Sequence, residues 1–182
     1  ETCSMVTREN IRALGHNFYA EGADGISFFN FYTAQYNHLF PLPDICLPEQ
    51  VKGKQRCYIY LKQGALFSGW DFLQLVFPPG SSTRQIIQCR LHENLREVNV
   101  RVRFKARHLD DISSLRVDIN NREIPIKELL LIPHDGKEFL YAQFHVTNGM
   151  LYDGANEIGF AFRDDHPTTS KVIIQEVEIR VK

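Results

Sequence analysis

The alternation of apolar and polar residues is most regular between Glu97 and Arg107. Val98, Val100, Val102 and Phe104 share one parity, and charged or amide side chains occupy the other. A period of two over this length predicts a strand with one buried and one solvated face. The segment contains no glycine or proline, so we expect it to be a central strand of an antiparallel sheet.

Similar patterns recur along the chain from residue 55 onward. They predict strands at 56–62, 72–77, 86–91, 115–119, 123–126, 139–146 and 157–162, and a last strand in which Ile173, Val177, Ile179 and Val181 alternate. Asn120-Asn121 predicts a turn. Short strands separated by turns, with little helix, predict a mainly β fold in which residues 55–182 form an antiparallel β-sandwich or jelly roll. We expect the apolar face of 97–107 to share its core with Ile158, Phe160, Ile179 and Val181.

The first forty residues have a different pattern. Thr7 is a good helix N-cap, and Gly22 is a good terminator for the helix between them. The helix carries apolar residues at helical spacing, namely Ile11, Leu14 and Phe18. The segment Asp24–Tyr32 that follows is apolar on both faces, which is typical of a strand covered on both sides in an α/β fold. Residues 1–40 therefore predict one αβ unit, and the proline-rich residues 41–54 predict a packed linker.

One αβ unit cannot cover both of its own faces. The large side chains between Ile26 and Phe31 need cover, because leaving each in water forgoes about 1.5–3 kcal/mol. The cover could come from the sandwich, from self-association through residues 7–40, or from the rest of a longer polypeptide. The chain opens on Glu1 without an initiator methionine, and we interpret it as part of something longer.

Composition narrows the range of partners. The chain has 182 residues, of which 43% are hydrophobic and 24% charged, with a net charge of -1. This balance gives no electrostatic argument for nucleic acid or an anionic membrane as a partner. The apolar stretches are too short to span a bilayer, and no motif calls for a cofactor. Cys3, Cys46, Cys57 and Cys89 lack metal-ligand spacing, and we favour buried free thiols over disulfides.

Two segments resemble known families. Arg12-Ala13-Leu14-Gly15, Tyr19–Ile26 and Phe28–Phe31 together resemble the last helix-strand step of a (β/α)8-barrel glycoside hydrolase-like protein. Leu151–Phe160 is similar to a turn and strand of the jelly-roll accessory domains attached to carbohydrate-active enzymes. The resemblance implies the C-terminal portion of such a protein, extracellular or periplasmic and bacterial. Its accessory sandwich would support the barrel or bind carbohydrate.

The same resemblance locates the catalytic groups elsewhere. Retaining barrel enzymes hold two carboxylates about 5 Å apart on other strands, and the resemblance places both upstream of Glu1. We therefore expect this chain alone not to be catalytic. The alternative is a stand-alone carbohydrate-binding or adhesive module, with residues 7–32 packed on the sandwich.

Three residues are candidates for binding a substrate. If Ile26–Phe31 is a barrel strand, Asn30 and Tyr32 would face the mouth of the active site; otherwise Asn30 caps a strand end and Tyr32 packs at the surface. Trp70 is the sole tryptophan. It could stack on a sugar ring, or it could anchor the core.

Charged residues give two further hypotheses. Arg101, Arg103, Lys105 and Arg107 could bind an acidic glycan, or form a solvated face paired with Glu123, Glu176 and Glu178. Asp164 and Asp165 could hold a calcium ion in a loop, or be ordinary turn residues. The sequence contains no Ser-His-Asp ordering, glycine-rich phosphate loop or nucleophile elbow.

Overall fold

The computed structural model describes residues 7–26, 45–61, 75–95, 100–132, 139–147, 149–165 and 168–182. The predictions for Asn30, Tyr32, Trp70, Val98 and Cys3 lie outside these residues. So does most of the predicted strand at Asp24–Tyr32, of which Asp24, Gly25 and Ile26 are described and are not in a strand.

The described residues form a mainly β fold with antiparallel sheets and few helices, as expected. The helices are α1 (Arg8–Ala20) and α2 (Pro48–Val51), with short 3-10 turns at Ile112–Ser114 and Ile126–Glu128. The strands are β1 (Arg56–Leu61), β2 (Leu75–Phe77), β3 (Gln85–Leu91), β4 (Val100–Arg107), β5 (Leu115–Ile119), β6 (Arg122–Glu123), β7 (Leu130–Ile132), β8 (Phe139–His145), β9 (Gly154–Phe162) and β10 (Val172–Val181). Among the described ranges, no helix has the length and apolar character needed to cross a bilayer.

The strands divide between two sheets. The larger sheet has the order β1-β10-β4-β8-β7, with β2 also paired to β10. The smaller sheet has the order β3-β9-β5-β6. Their apolar residues form one core, in which the Phe104 ring meets that of Phe160 edge-on at 5.3 Å and the Phe77 ring meets that of Phe162 at 5.2 Å. These contacts join the larger sheet directly to the smaller one.

The most regular apolar pattern does occupy the centre of the larger sheet. β4 pairs with β10 on one side and β8 on the other, so both its edges are hydrogen-bonded. Phe104 is buried, as are the predicted core residues Ile158, Phe160, Ile179 and Val181. The backbone register also places Arg103 opposite Glu178 and Lys105 opposite Glu176. Glu178 is buried, and Glu123 lies in the smaller sheet, where it pairs with Arg116 and Arg163, so the prediction of a solvated face paired with these two residues was wrong.

The last strand departs from its predicted pattern. Val177, Ile179 and Val181 are buried as expected, but upstream the buried residues are Val172 and Ile174, while Ile173 is half-buried. The register of β10 against β4 shifts between Ile174 and Glu176. A bulge inserts one extra residue and moves the following side chains to the opposite face. The prediction that Ile173 shares a face with Val177 was therefore wrong.

Helix α1 begins and ends as the sequence predicts. The backbone N–H of Asn10 donates to Thr7 Oγ1 at 3.3 Å, and the backbone N–H of Thr7 donates to Asn10 Oδ1 at 2.9 Å. These reciprocal bonds satisfy backbone donors that the first turn leaves open. Gly22, just after the helix, has φ +94°, a conformation that glycine adopts without steric cost.

Helix α1 closes one side of the core. Asn10 Nδ2 donates to the carbonyl oxygen of Cys57 in β1 at 2.9 Å, and Asn17 Nδ2 donates to that of Arg90 in β3 at 3.0 Å. Ala13 joins the main apolar core between these contacts. Because β1 and β3 are the terminal strands of the two sheet orders above, one helix satisfies backbone acceptors of both sheets.

The linker region has mixed burial. Ile45 and Val51 form a second, small apolar cluster with Ile11 of α1, whereas Leu47 is exposed. Among the cysteines, Cys57 and Cys89 are buried as expected and Cys46 is exposed, which corrects that expectation. Burial raises the pKa of the Cys89 thiol to about 12, so this thiol stays protonated at neutral pH.

The core contact between the sheets can be tested with Phe104→Ala. We expect it to lower the free energy of unfolding by about 3–5 kcal/mol, because the deleted ring leaves a cavity between the sheets. Leu131→Ala is the matched control, since Leu131 is 55% exposed and should change stability by less than about 0.5 kcal/mol. Urea denaturation measures both. A cost below about 1 kcal/mol for Phe104→Ala would contradict the assignment of its ring to the core.

Candidate functional site

An open cleft lies where α1 meets the loops that flank the smaller sheet. Its volume is about 1220 Å³. One wall comes from α1, a second from the loop after β3, and a third from the loop before β9. The described lining residues are His16, Ala20, His92, Glu93, Asn94, Leu95, Gly149, Leu151, Tyr152 and Asp153.

A buried charged group forms the base of this cleft. The Glu93 side chain is only 2% exposed. Arg56 donates from Nε to Glu93 Oε1 at 2.5 Å and from Nη2 to Oε2 at 2.6 Å, and the Tyr58 hydroxyl donates to Oε1 at 2.6 Å. Arg56 Nη1 also donates to the carbonyl oxygens of Val51 and Lys54. Both Glu93 oxygens are therefore engaged within the protein.

Position along the strand explains why a charged pair is buried here. Arg56 is opposite Val181 and Tyr58 is opposite Ile179 in the antiparallel register, so both share the inward face of β1. A buried ion pair is tolerated when its hydrogen bonds are also satisfied. Burial disfavours the charge on Arg56, but its hydrogen bonds and its attraction to Glu93 outweigh that cost, and the pKa of Arg56 is raised.

His16 connects α1 to this pair. Its Nδ1 lies 3.4 Å from the Tyr58 hydroxyl oxygen and 4.0 Å from Glu93 Oε1. Removal from water lowers the pKa of His16; the negative charge of Glu93 acts in the opposite direction, and the positive charge of Arg56 adds to the lowering. The imidazole therefore stays neutral to lower pH than a free histidine does.

A second histidine lies at the mouth of the cleft between two carboxylates. His92 Nδ1 is 3.2 Å from Asp153 Oδ1, and His92 Nε2 is 3.4 Å from Glu21 Oε1. Arg90 donates to Glu21 at 3.0 Å, and this bond lowers the pKa of the Glu21 carboxyl. His92 Nε2 is shielded from solvent, so the imidazole is held between the two carboxylates at the mouth of the cleft.

A tight turn presents Tyr152 and Asp153 at the rim. Asn156 is 1% exposed, and its Oδ1 accepts from the Tyr152 amide at 2.8 Å. Its Nδ2 donates to the carbonyl oxygens of Tyr152 at 2.8 Å and Gly154 at 3.0 Å. Gly154 has φ +98°, as such a turn requires. These bonds leave the Tyr152 side chain 48% exposed beside the cleft.

This arrangement suits binding better than acid-base catalysis. Glycoside hydrolysis needs a carboxylic acid and a second carboxylate on either side of the bond that breaks. Glu93 is held by Arg56 and Tyr58, and Asp153 faces His92. The cleft instead offers hydrogen-bonding groups and an exposed aromatic ring, which are typical of a site for a polar ligand.

The described lining of the cleft includes none of the site residues predicted from the sequence. Asn30, Tyr32 and Trp70 fall outside the described residues, and their roles stay predictions. Asp164 and Asp165 are exposed in the turn after β9. The described residues contain no group of three or more His, Cys, Asp or Glu side chains placed to hold a metal ion, and the calcium hypothesis stays a prediction.

The cleft itself was not predicted from the sequence. Glu93 lies between two strands, in a stretch that looks like an ordinary polar turn. One signal was available, since Arg56 has the same parity as Tyr58 at the start of an apolar strand. A charged residue on the buried face of a strand predicts a buried partner of opposite charge, but it does not say which acid provides it.

Glu93→Gln tests the buried pair. The amide keeps the shape of the side chain but leaves the Arg56 charge uncompensated, so we expect the free energy of unfolding to fall by about 3–5 kcal/mol. Glu123→Gln is the matched control. Glu123 pairs with Arg116 and Arg163 at the surface, where the loss should stay below about 1 kcal/mol. Equal losses in the two variants, measured by urea denaturation, would contradict the proposed role of Glu93.

His16→Gln tests the lowered pKa. Below the ordinary histidine pKa of 6.5, the unfolded chain binds a proton at His16 that the folded chain binds only at lower pH. Stability should therefore fall as pH falls through this range. The variant lacks this contribution, so its urea midpoint should fall less than that of the wild type between about pH 7.5 and pH 5. Parallel pH profiles for the two proteins would show that burial does not shift His16.

Comparisons with known proteins add little to this geometry. No protein-family model matches the chain, and no curated protein matches it. In structure, the chain is similar to a variant of BuGH86 and to wild-type BuGH86, each in complex with neoagarooctaose, at 14% and 13% sequence identity and a TM-score of 0.38. The matches cover 71% of this chain and 20% of each BuGH86 chain, so the chain spans about a fifth of their length. A TM-score of 0.38 is too low to establish a shared fold, and the function must follow from the chain's own residues.

Proposed function

We propose that this chain is a non-catalytic, carbohydrate-binding β-sandwich region of a glycoside hydrolase-like protein, with the cleft as its glycan site. The observation that carries the proposal is the rim turn. It holds the half-exposed Tyr152 ring beside Asp153, above a cleft large enough for several sugar units.

The chemistry of the lining fits a sugar. An aromatic ring that is apolar on its face, carried on a hydrogen-bonded turn, can stack on the C–H face of a pyranose. Sugar hydroxyls both donate and accept hydrogen bonds, and the cleft offers partners for both. The Asp153 carboxylate can accept, and a side-chain amide such as that of Asn94 can both donate and accept.

Two properties of the cleft favour binding over turnover. Its base is occupied by Glu93, whose oxygens already accept three hydrogen bonds. Its walls are fixed by buried groups, which lowers the entropy lost when a ligand binds. We infer that the chain retains a glycan without cleaving it.

The link to a glycoside hydrolase-like protein rests on the two sequence resemblances, at Arg12–Phe31 and at Leu151–Phe160. The second of these includes the rim turn. A stand-alone carbohydrate-binding or adhesive module would use the same cleft, and it differs in lacking an upstream barrel. The intact mass of the native protein separates the two. A mature protein that begins near Glu1 would contradict the first.

Tyr152→Ala tests the glycan site. A polysaccharide microarray identifies which glycans the wild-type chain retains, and titration calorimetry with the best soluble oligosaccharide gives the affinity. We expect the variant to bind at least about tenfold more weakly, which corresponds to about 1.4 kcal/mol, because the stacking surface is gone. Reducing ends released from the same polysaccharide should not exceed the level of a protein-free blank.

Leu131→Ala serves as the control here too, since it removes an exposed apolar side chain from β7, away from the cleft lining. It should bind like the wild type. Loss of binding in both variants, or wild-type affinity in Tyr152→Ala, would exclude the cleft as the site. Release of reducing ends that a single Asp or Glu substitution abolishes would show that the chain is a catalyst.

A further inference from the structure

The rim turn of the cleft is held by a residue far from it in the sequence. Asn120 lies in the two-residue turn between β5 and β6, where Asn120 has φ +51° and Asn121 has φ +64°. Positive φ at both positions is typical of a tight hairpin turn. The turn projects toward residues 149–157.

The Asn120 side chain binds this loop at three points. Its Nδ2 donates to the Met150 carbonyl oxygen at 2.7 Å and to Asn156 Oδ1 at 3.0 Å. Its Oδ1 accepts from the Glu157 amide at 2.9 Å. Asn120 therefore contacts the loop on both sides of Tyr152 and Asp153. It also contacts the Asn156 amide group that fixes the Tyr152 backbone.

We infer that Asn120 and Asn156 are positioning residues of the glycan site, which act through the rim turn without touching the ligand. This inference rests on the proposed function. Asn156 fixes the backbone of Tyr152, and Asn120 orients the Asn156 amide and holds Met150. Together they fix the backbone that carries the Tyr152 and Asp153 side chains before a ligand arrives.

The physical argument is preorganisation. A loop that must be ordered on binding gives up part of the interaction free energy, whereas a loop already ordered does not. The buried amide of Asn156 has its acceptor and both donor hydrogens engaged, and a fully satisfied buried network specifies one conformation. Removing Asn120 takes one partner from Asn156 and leaves the Met150 carbonyl oxygen and the Glu157 amide without this partner.

The turn offers a matched pair of variants. Asn120→Gly removes the side chain but keeps the backbone turn, because glycine adopts positive φ without strain. Asn121→Gly makes the same change one residue later, where the side chain is exposed and the backbone amide donates to Asp118 Oδ1 at 3.2 Å. Affinity for the glycan found with the wild type is measured by calorimetry. Amide exchange of Tyr152 and Glu157 is measured by mass spectrometry or NMR.

We expect Asn120→Gly to bind the glycan about tenfold more weakly and to exchange its Tyr152 and Glu157 amides faster. We expect Asn121→Gly to match the wild type in both affinity and amide exchange.

Phe104→Ala separates positioning from general stability, since it weakens the core and leaves the turn intact. At a temperature where the Phe104→Ala variant stays folded, this variant should bind the glycan with wild-type affinity. Asn120→Asp, which keeps Oδ1 but loses both donated bonds, should behave like Asn120→Gly and provides a second variant if glycine prevents folding.

The outcomes distinguish the two proposals. If the wild type binds a glycan and Asn120→Gly and Asn120→Asp bind it equally well, the positioning role is wrong and the glycan site stands. If Phe104→Ala loses as much affinity as Asn120→Gly, the effect is one of general stability and the positioning role is again wrong. If the wild type binds no glycan, both proposals fail.

Discussion

The structure depends on how the two sheets are closed on one side. β1 and β3 end the described strand orders of the larger and the smaller sheet, and α1 lies across both. The side-chain amides of Asn10 and Asn17 donate to main-chain carbonyl oxygens of β1 and β3, and Ala13 enters the core between them. Covering a sheet edge with a helix is a common way to satisfy its backbone. The cleft exists because this helix approaches the flanking loops without filling the space between them.

Local signals in the sequence predicted local structure well. The cap at Thr7 and the turn at Asn120-Asn121 follow from the chemistry of a few adjacent residues. The period of two predicted the burial of Phe104 in β4, a strand that is paired on both edges. The same pattern failed in β10, where the bulge before Glu176 places Ile174 in the core and not Ile173. A bulge depends on the partner strand, so alternation within a single segment cannot reveal it.

The candidate site depends on contacts between residues distant in sequence. Arg56 and Glu93 are separated by 37 positions, and His16 joins them from a third element. Only Arg56 carries a signal in its own sequence context, and that signal does not identify Glu93 or His16 as its neighbours. What unites them is the junction of α1 with β1 and the loop after β3, which appears only once the chain has folded. The turn at Gly154 and Asn156 was predicted, but the contact between Asp153 of this turn and His92 was not.

The two amides on α1 also bear on how the protein behaves at high concentration. An edge strand whose carbonyl oxygens and amides lose their cover becomes a template that another chain can extend by β-pairing. Helix α1 contributes one buried residue, Ala13, to the main core and another, Ile11, to the small cluster with Ile45 and Val51, so few apolar contacts hold it to the sheets. Conditions that detach the helix would expose β1 and β3 together while the rest of both sheets remains folded. Resistance to aggregation would then be set by the local stability of one helix, and not by the global stability of the core.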